Sequence, residues 1–217
     1  MGLDLVVEGC AKPGHEGEWR RLLERAFADK ELSEAETERF QEICIPGYER
    51  IGAPRVGQDP AADQWILEAQ GAKTPEEKAA VLKEFDGYYV VRLVECDGVP
   101  KYTHAGLYDG VDETSFRGKF LDLCGDVLSK KLRDDAYNHR FPDQAVAYGK
   151  VLLAAADEAE AGRGPKPQQQ PRGLLSRLFS VPVPEPITLA DQLAIVRSAG
   201  RWFIFWGERG HPIRAWV

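Results

Sequence analysis

The side chains in this 217-residue chain that could do chemistry are four histidines, four cysteines and a surplus of carboxylates. His104 is the best placed of the histidines, because Asp109, Asp112 and Glu113 follow it in one stretch. A histidine within reach of several carboxylates can hold a metal or activate a water. These four residues are the candidate catalytic set, with His139 as a more distant contributor. Their spacing fits neither the EF-hand, which needs more carboxylates before its glycine, nor His-Glu-x-x-His. The same acids would equally start turns and lead into a helix opening at Ser115. His15 and His211 stand alone.

The other chemistries lack their sequence frames. Cys10, Cys44, Cys96 and Cys124 are scattered, with no Cys-x-x-Cys pair and no histidine within four residues. Zinc sites usually show such pairs, so the thiols read as small buried hydrophobes. Cys10 and His15 are close in sequence, but nothing fixes them face to face. No Gly-x-Ser-x-Gly elbow and no phosphate-binding glycine loop occurs, and Gly52 and Gly57 lack the strand–loop–helix frame such a loop needs. The acid pairs Asp122 with Asp126 and Asp134 with Asp135 fall on polar helix faces. No metal and no cofactor is expected.

Recognition chemistry is more visible. Near the C-terminus Trp202, Trp206 and Trp216 interleave with Arg201, Arg209 and Arg214. Tryptophan and arginine are the residues enriched at interface hot spots. The run 202–206 is apolar on both faces and reads as a buried central strand. That leaves Trp216, Arg209 and Arg214 as candidate partner-binding residues.

The elements that must position these groups follow from periodicity and punctuation. Residues 3–8 alternate and predict a strand, with Leu3, Leu5 and Val7 on one face and Asp4, Val6 and Glu8 on the other. Residues 16–28 predict an amphipathic helix with Trp19, Leu22, Leu23, Ala26 and Phe27 on its stripe. Ser33 with Glu36 makes a capping box for a second helix, and Thr74-Pro75-Glu76-Glu77 starts another. Between them lie an irregular loop over 45–60 and a short helix through Trp65. Residues 88–95 predict a strand, and Asp97-Gly98 a hairpin whose return near Tyr102 is an edge because of Pro100. Two longer helices are expected over 115–134 and 142–159, the second with a stripe small enough, at Gly149 and Ala156, to pack closely on a neighbour. Thr188 with Asp191 caps a last helix through Leu189, Leu193 and Val196; a terminal hairpin of 202–206 and 213–217 follows.

These elements predict an α+β fold: a helix-rich single domain around a mainly antiparallel sheet of about five strands, completed by the C-terminal hairpin. The expected organisation is an acidic body over 1–161, a Pro/Gln-rich linker over 162–186, and a helix plus hairpin over 187–217 that docks on the body. Pairing of that hairpin within the chain is expected, with a swapped dimer as the alternative.

Charge divides along the same line. From residue 162 onward there are eight bases and three acids, so this tail carries +5 and leaves −12 of the net −7 to the body. An acidic body repels phosphates, so general nucleic-acid binding is not expected. The N-terminal MGLDLVVEG has neither a basic start nor a long apolar stretch, and no run is long enough to span a bilayer. A cytoplasmic location is expected. The leading expectation is a non-catalytic, bacterial-type protein-binding module of adaptor, immunity or antitoxin type, with a protein partner or a second copy of itself. The alternative is a small-molecule-binding protein or hydrolase using the 104–113 loop.

Overall fold

The computed structural model describes residues 2–28, 30–90, 93–94, 114–165 and 187–217. The first strand, β1 (Asp4–Val7), is the middle of the main sheet. Alternation sends Leu3 and Leu5 to the core face, where both are fully buried, and Asp4, Val6 and Glu8 to the other. Strands β4 (Ser115–Phe116) and β5 (Ile213–Trp216) flank it, both antiparallel, with Leu5 opposite Phe116 on one side and Ala215 on the other. Beyond β5, the backbones of Arg140 and Ile213 exchange hydrogen bonds of 2.8 and 2.9 Å. A separate two-stranded ribbon pairs β2 (Cys10–Ala11) with β3 (Cys44–Ile45).

The molecule is α+β, but the expected five-stranded sheet is corrected to a three-stranded sheet and a two-stranded ribbon among the described residues. The chain turns away from the main sheet at Gly9, where a Cβ would lie 2.7 Å from Cys44 Cβ. Such a close approach needs glycine and redirects β2 toward β3.

The core face is covered by two long antiparallel helices, α8 (Pro142–Glu160) and α9 (Leu189–Glu208). The expected strand 202–206 is the end of α9, so the expected terminal hairpin does not form. Gln192, Ile195, Val196, Ala199, Trp202, Phe203 and Trp206 are all buried and recur at steps of three and four residues. That is the helical period; the aromatic end is apolar on all sides because it sits in the centre of the core. Only β5 remains of the hairpin, and it pairs with β1 of the same chain. Glycines let α8 and α9 touch backbone to backbone. A Cβ on Gly149 would lie 2.6 Å from Gly200 O, and one on Gly207 would lie 2.6 Å from Pro142 O.

The expected helix over 115–134 is broken into β4, α6 (Lys119–Asp122) and α7 (Lys130–Asp135). Its apolar residues Phe116, Phe120, Cys124, Val127 and Leu128 are all buried. Sheet pairing of Phe116 with Leu5 and a loop at Asp126 replace helix there. That loop is held by Gln192, whose Oε1 accepts from Asp126 N (3.0 Å) and whose Nε2 donates to Asp126 Oδ2 (2.8 Å). Of the strand expected over 88–95, Tyr89 makes an isolated bridge to Arg55, and Leu93 N turns back to Val90 O. Its return near Tyr102 lies outside the described residues, as does most of 162–186.

On the other side of the sheet stand α1 (Glu16–Phe27), α2 (Glu34–Glu42) and α3 (Gly47–Arg50), with a small cluster of Trp19, Leu22, Leu23, Ile43 and Cys44. A helical hairpin, α4 (Pro60–Gln70) and α5 (Pro75–Glu84), carries its own cluster of Val56, Ala62, Ile66 and Val90. Among the described residues no helix is long and apolar enough to cross a membrane.

Candidate functional site

The strand alternation that buries Leu5 and Ala215 turns Val6, Glu8, Arg214 and Trp216 outward. These four are part of the floor and far edge of an open cleft of about 960 Å³. Its near wall is the α1–α2 hairpin, through Ala26, Leu32, Thr37, Phe40 and Gln41. Its end is closed by Cys44, Pro46, Gly47 and Tyr48. The lining is mainly apolar, and Trp216 and Tyr48 remain 57% and 39% exposed.

Local interactions hold each wall. Trp19 Nε1 donates to Gly9 O (2.9 Å) and ties α1 to the turn after β1. Ser33 and Glu36 form the capping box of α2. Arg25 pairs with Glu36, and Arg39 bridges Glu18 and Glu42. The hydrogen bond from Arg39 holds the Glu18 carboxyl below its ordinary range, and the amide of Ser33 does the same for Glu36. Glu34, Thr37, Glu38 and Gln41 share one helical stripe, so Glu34 and Glu38 stand beside the two that line the cleft. Glu36 and Glu42 have arginine partners. Glu31, Glu34 and Glu38 have none among the described residues, and neither does Lys30.

The floor is electrically neutral. Arg214 Nε lies 2.5 Å from Glu8 Oε1, an ionic contact outside hydrogen-bond alignment. The guanidinium also lies 5.7 Å from the Trp216 ring and 5.8 Å from that of Phe27. Beneath it His211 is fully buried, its Nδ1 donating to Glu8 O at 2.8 Å and its ring set edge-on to Trp206. Its Nε2 has no hydrogen-bond partner. Burial in this apolar seat pushes the imidazole pKa down to about 4, and the positive charges of Arg50 and Arg209 act the same way.

Of the residues predicted from sequence to bind a partner, Trp216 and Arg214 meet on the cleft, but Arg209 does not. Its Nη1 donates to Phe205 O (3.0 Å), and its guanidinium covers the Phe205 ring at 3.5 Å, closing the end of α9. His104, Asp109, Asp112 and Glu113 lie outside the described residues; Thr114, which follows them, lines the cleft. His139 is engaged with the sheet edge, accepting from Ala215 N (3.1 Å) and stacking on Phe27. Among the described residues no group of three or more His, Cys, Asp or Glu is placed to hold a metal. Burial raises the thiol pKa of Cys10, raises that of Cys44 to about 12, and raises that of Cys124 further. All three thiols are therefore protonated at neutral pH and poor nucleophiles.

Sequence reasoning missed Glu8, Leu32, Phe40 and Tyr48. One signal was present: Val6 is an apolar residue on the outward face of the first strand, and an apolar residue there implies a cover or a ligand. Compared with protein-family profiles, with curated proteins and with solved structures, the chain matches none.

Proposed function

We propose that the chain is a non-catalytic module that binds another protein through this cleft, in the manner of an adaptor or an immunity-type protein. The observation that carries the reading is the half-exposed Trp216 at the mouth of an open, apolar cleft whose floor charges are already paired. An exposed tryptophan beside an apolar hollow can act as an anchor, and the surrounding contacts exclude water from it. A floor with no unpaired charge can take apolar side chains without stranding a buried ion. The unpaired carboxylates along α2 favour a basic partner and give its approach an electrostatic component.

The test is affinity capture by the immobilised chain at low and high salt, with Trp216→Ala as the comparison. A stoichiometric partner should be retained at low salt, weakened at high salt, and lost with the tryptophan. Capture of nothing at either salt, or capture indifferent to Trp216, counts against the reading.

A second reading is a small-molecule site, supported by the volume, which falls in the range of ligand clefts, and by Thr114, which lines the cleft and directly follows residues 104–113 in sequence. In that case His104→Ala abolishes ligand or metal binding and leaves the melting temperature unchanged.

A further inference from the structure

An occupant of the cleft must bring apolar side chains for its walls and positive charge for its rim, where the carboxylates of Glu31, Glu34 and Glu38 outnumber Lys30 among the described residues. The chain itself contains such a sequence. Residues 172–179, RGLLSRLF, set Arg172 and Arg177 among Leu174, Leu175, Leu178 and Phe179, and no acid occurs between Arg163 and Glu185. We propose that this segment of one copy docks in the cleft of a second copy, so that the protein associates with itself and its own segment competes with the partner. The proposal rests on the protein-binding reading of the cleft.

Reach decides between the two possible sources of the segment. Gly47 lines the cleft, and a Cβ there would meet the Trp206 ring at 3.3 Å, so the cleft lies at the C-terminal end of α9. The segment rejoins the described chain at Ile187, ahead of the N-terminal end of the same helix. Its other end starts nearby: Gly164 packs against Asp126 O, and Asp126 is held by Gln192 of α9. A helix of 20 residues spans about 30 Å. Seven residues lead from Pro165 to Arg172 and eight from Phe179 to Ile187; fully extended, these reach at most about 25 and 29 Å. Docking in its own cleft would pull both connectors taut, an ordering cost that a second copy avoids. A reciprocal exchange closes as a symmetric dimer.

The test uses the full chain in three forms: wild type, a segment variant with Leu174, Leu175, Leu178 and Phe179 all changed to Ser, and the cleft variant Trp216→Ala. A second cleft variant, Glu34→Lys with Glu38→Lys, changes only exposed positions and serves if Trp216→Ala perturbs folding. Mass in solution is measured by light scattering, and binding of a fluorescent synthetic peptide of residues 171–181 by anisotropy. The wild type should be dimeric and each variant alone monomeric. The two variants mixed should associate, since one supplies an intact cleft and the other an intact segment. The peptide should bind the segment variant about tenfold or more tighter than the wild type, whose tethered segment competes at high local concentration, and should not bind the cleft variant. A monomeric wild type, a segment variant that stays dimeric, or a peptide that binds without regard to the cleft overturns the proposal. Partner capture by the segment variant separates the two readings: capture lost on Trp216→Ala without peptide binding sinks only the self-docking, and peptide binding without capture sinks only the partner.

Discussion

The two sides of the sheet are built on different principles. On one side α8 and α9 meet through Gly149, Gly200 and Gly207 with no room for a Cβ, over Trp202, Phe203 and Trp206 at zero exposure. On the other, α2 has no fully buried residue and is held by a capping box and ion pairs on the surface. Close-packed interiors respond to a single added carbon, whereas exposed ion pairs contribute little each and are screened by salt. One side therefore fixes the sheet in place. The other is left as a loosely supported wall, and it is the sheet face beneath that wall that forms the cleft.

The contrast is open to direct attack. Its largest test is Gly200→Val, which forces a branched side chain against Leu153 and the Gly149 carbonyl and should cost about 3 kcal/mol or prevent folding, read by urea denaturation. A loss below about 1 kcal/mol would mean that α8 and α9 can slide apart, and the rigid half of the comparison would go.

The joint between the halves is His211, and acid probes it. Its folded pKa lies near 4 against an ordinary 6.5, so below pH 6.5 the unfolded chain takes up a proton that the folded chain refuses. Stability should fall by about 3 kcal/mol as pH drops from 6.5 toward 4, and this contribution levels off below the folded value. Most of the fall precedes protonation of the carboxylates. His211→Gln should flatten that slope; an unchanged slope in the variant would remove His211 as its source.

On the loose side, Ser33→Ala removes the cap of α2 and should cost about 1 kcal/mol. The effect should be local, seen as faster hydrogen exchange in α2 with α8 and α9 unchanged; a uniform acceleration would show that the halves unfold as one. The smallest effect on stability is expected for Trp216→Ala, about 0.5 kcal/mol, because the side chain is more than half exposed. Loss of partner capture with an unchanged melting temperature would separate binding from folding at this position.

Local rules were legible where one short stretch decides the outcome. The capping boxes at Ser33, Thr74 and Thr188 form as their sequences require, because donor and acceptor lie three residues apart. The alternation of 3–8 placed Leu5 inward and Val6 and Glu8 outward. The small stripe of α8 announced a close neighbour, and Gly149 has one. What failed was conformation in stretches apolar enough for either state. Residues 202–206 carry a strand composition, and only their continuity with Ile195, Val196 and Ala199 makes them helix. The stretch 115–134 has a helical stripe, yet Phe116 is drawn into the sheet and Asp126 is held out of helix by Gln192, far away in sequence.

The sequence by itself determined the inward face of the first strand, the buried stripe of Trp19, Leu22 and Leu23 on α1, and where the α1, α2, α5, α8 and α9 helices begin. These depend on periodicity and on caps, both written within a few residues. Tertiary structure alone decided that β5 returns to β1, that the sheet stops at three strands, that Arg209 is taken up by the end of α9, and that Glu8, Leu32, Phe40 and Tyr48 share one cleft with Trp216. Each of these joins residues far apart in the chain, and such contacts are chosen by competition among all the apolar faces at once, a choice that no local pattern records.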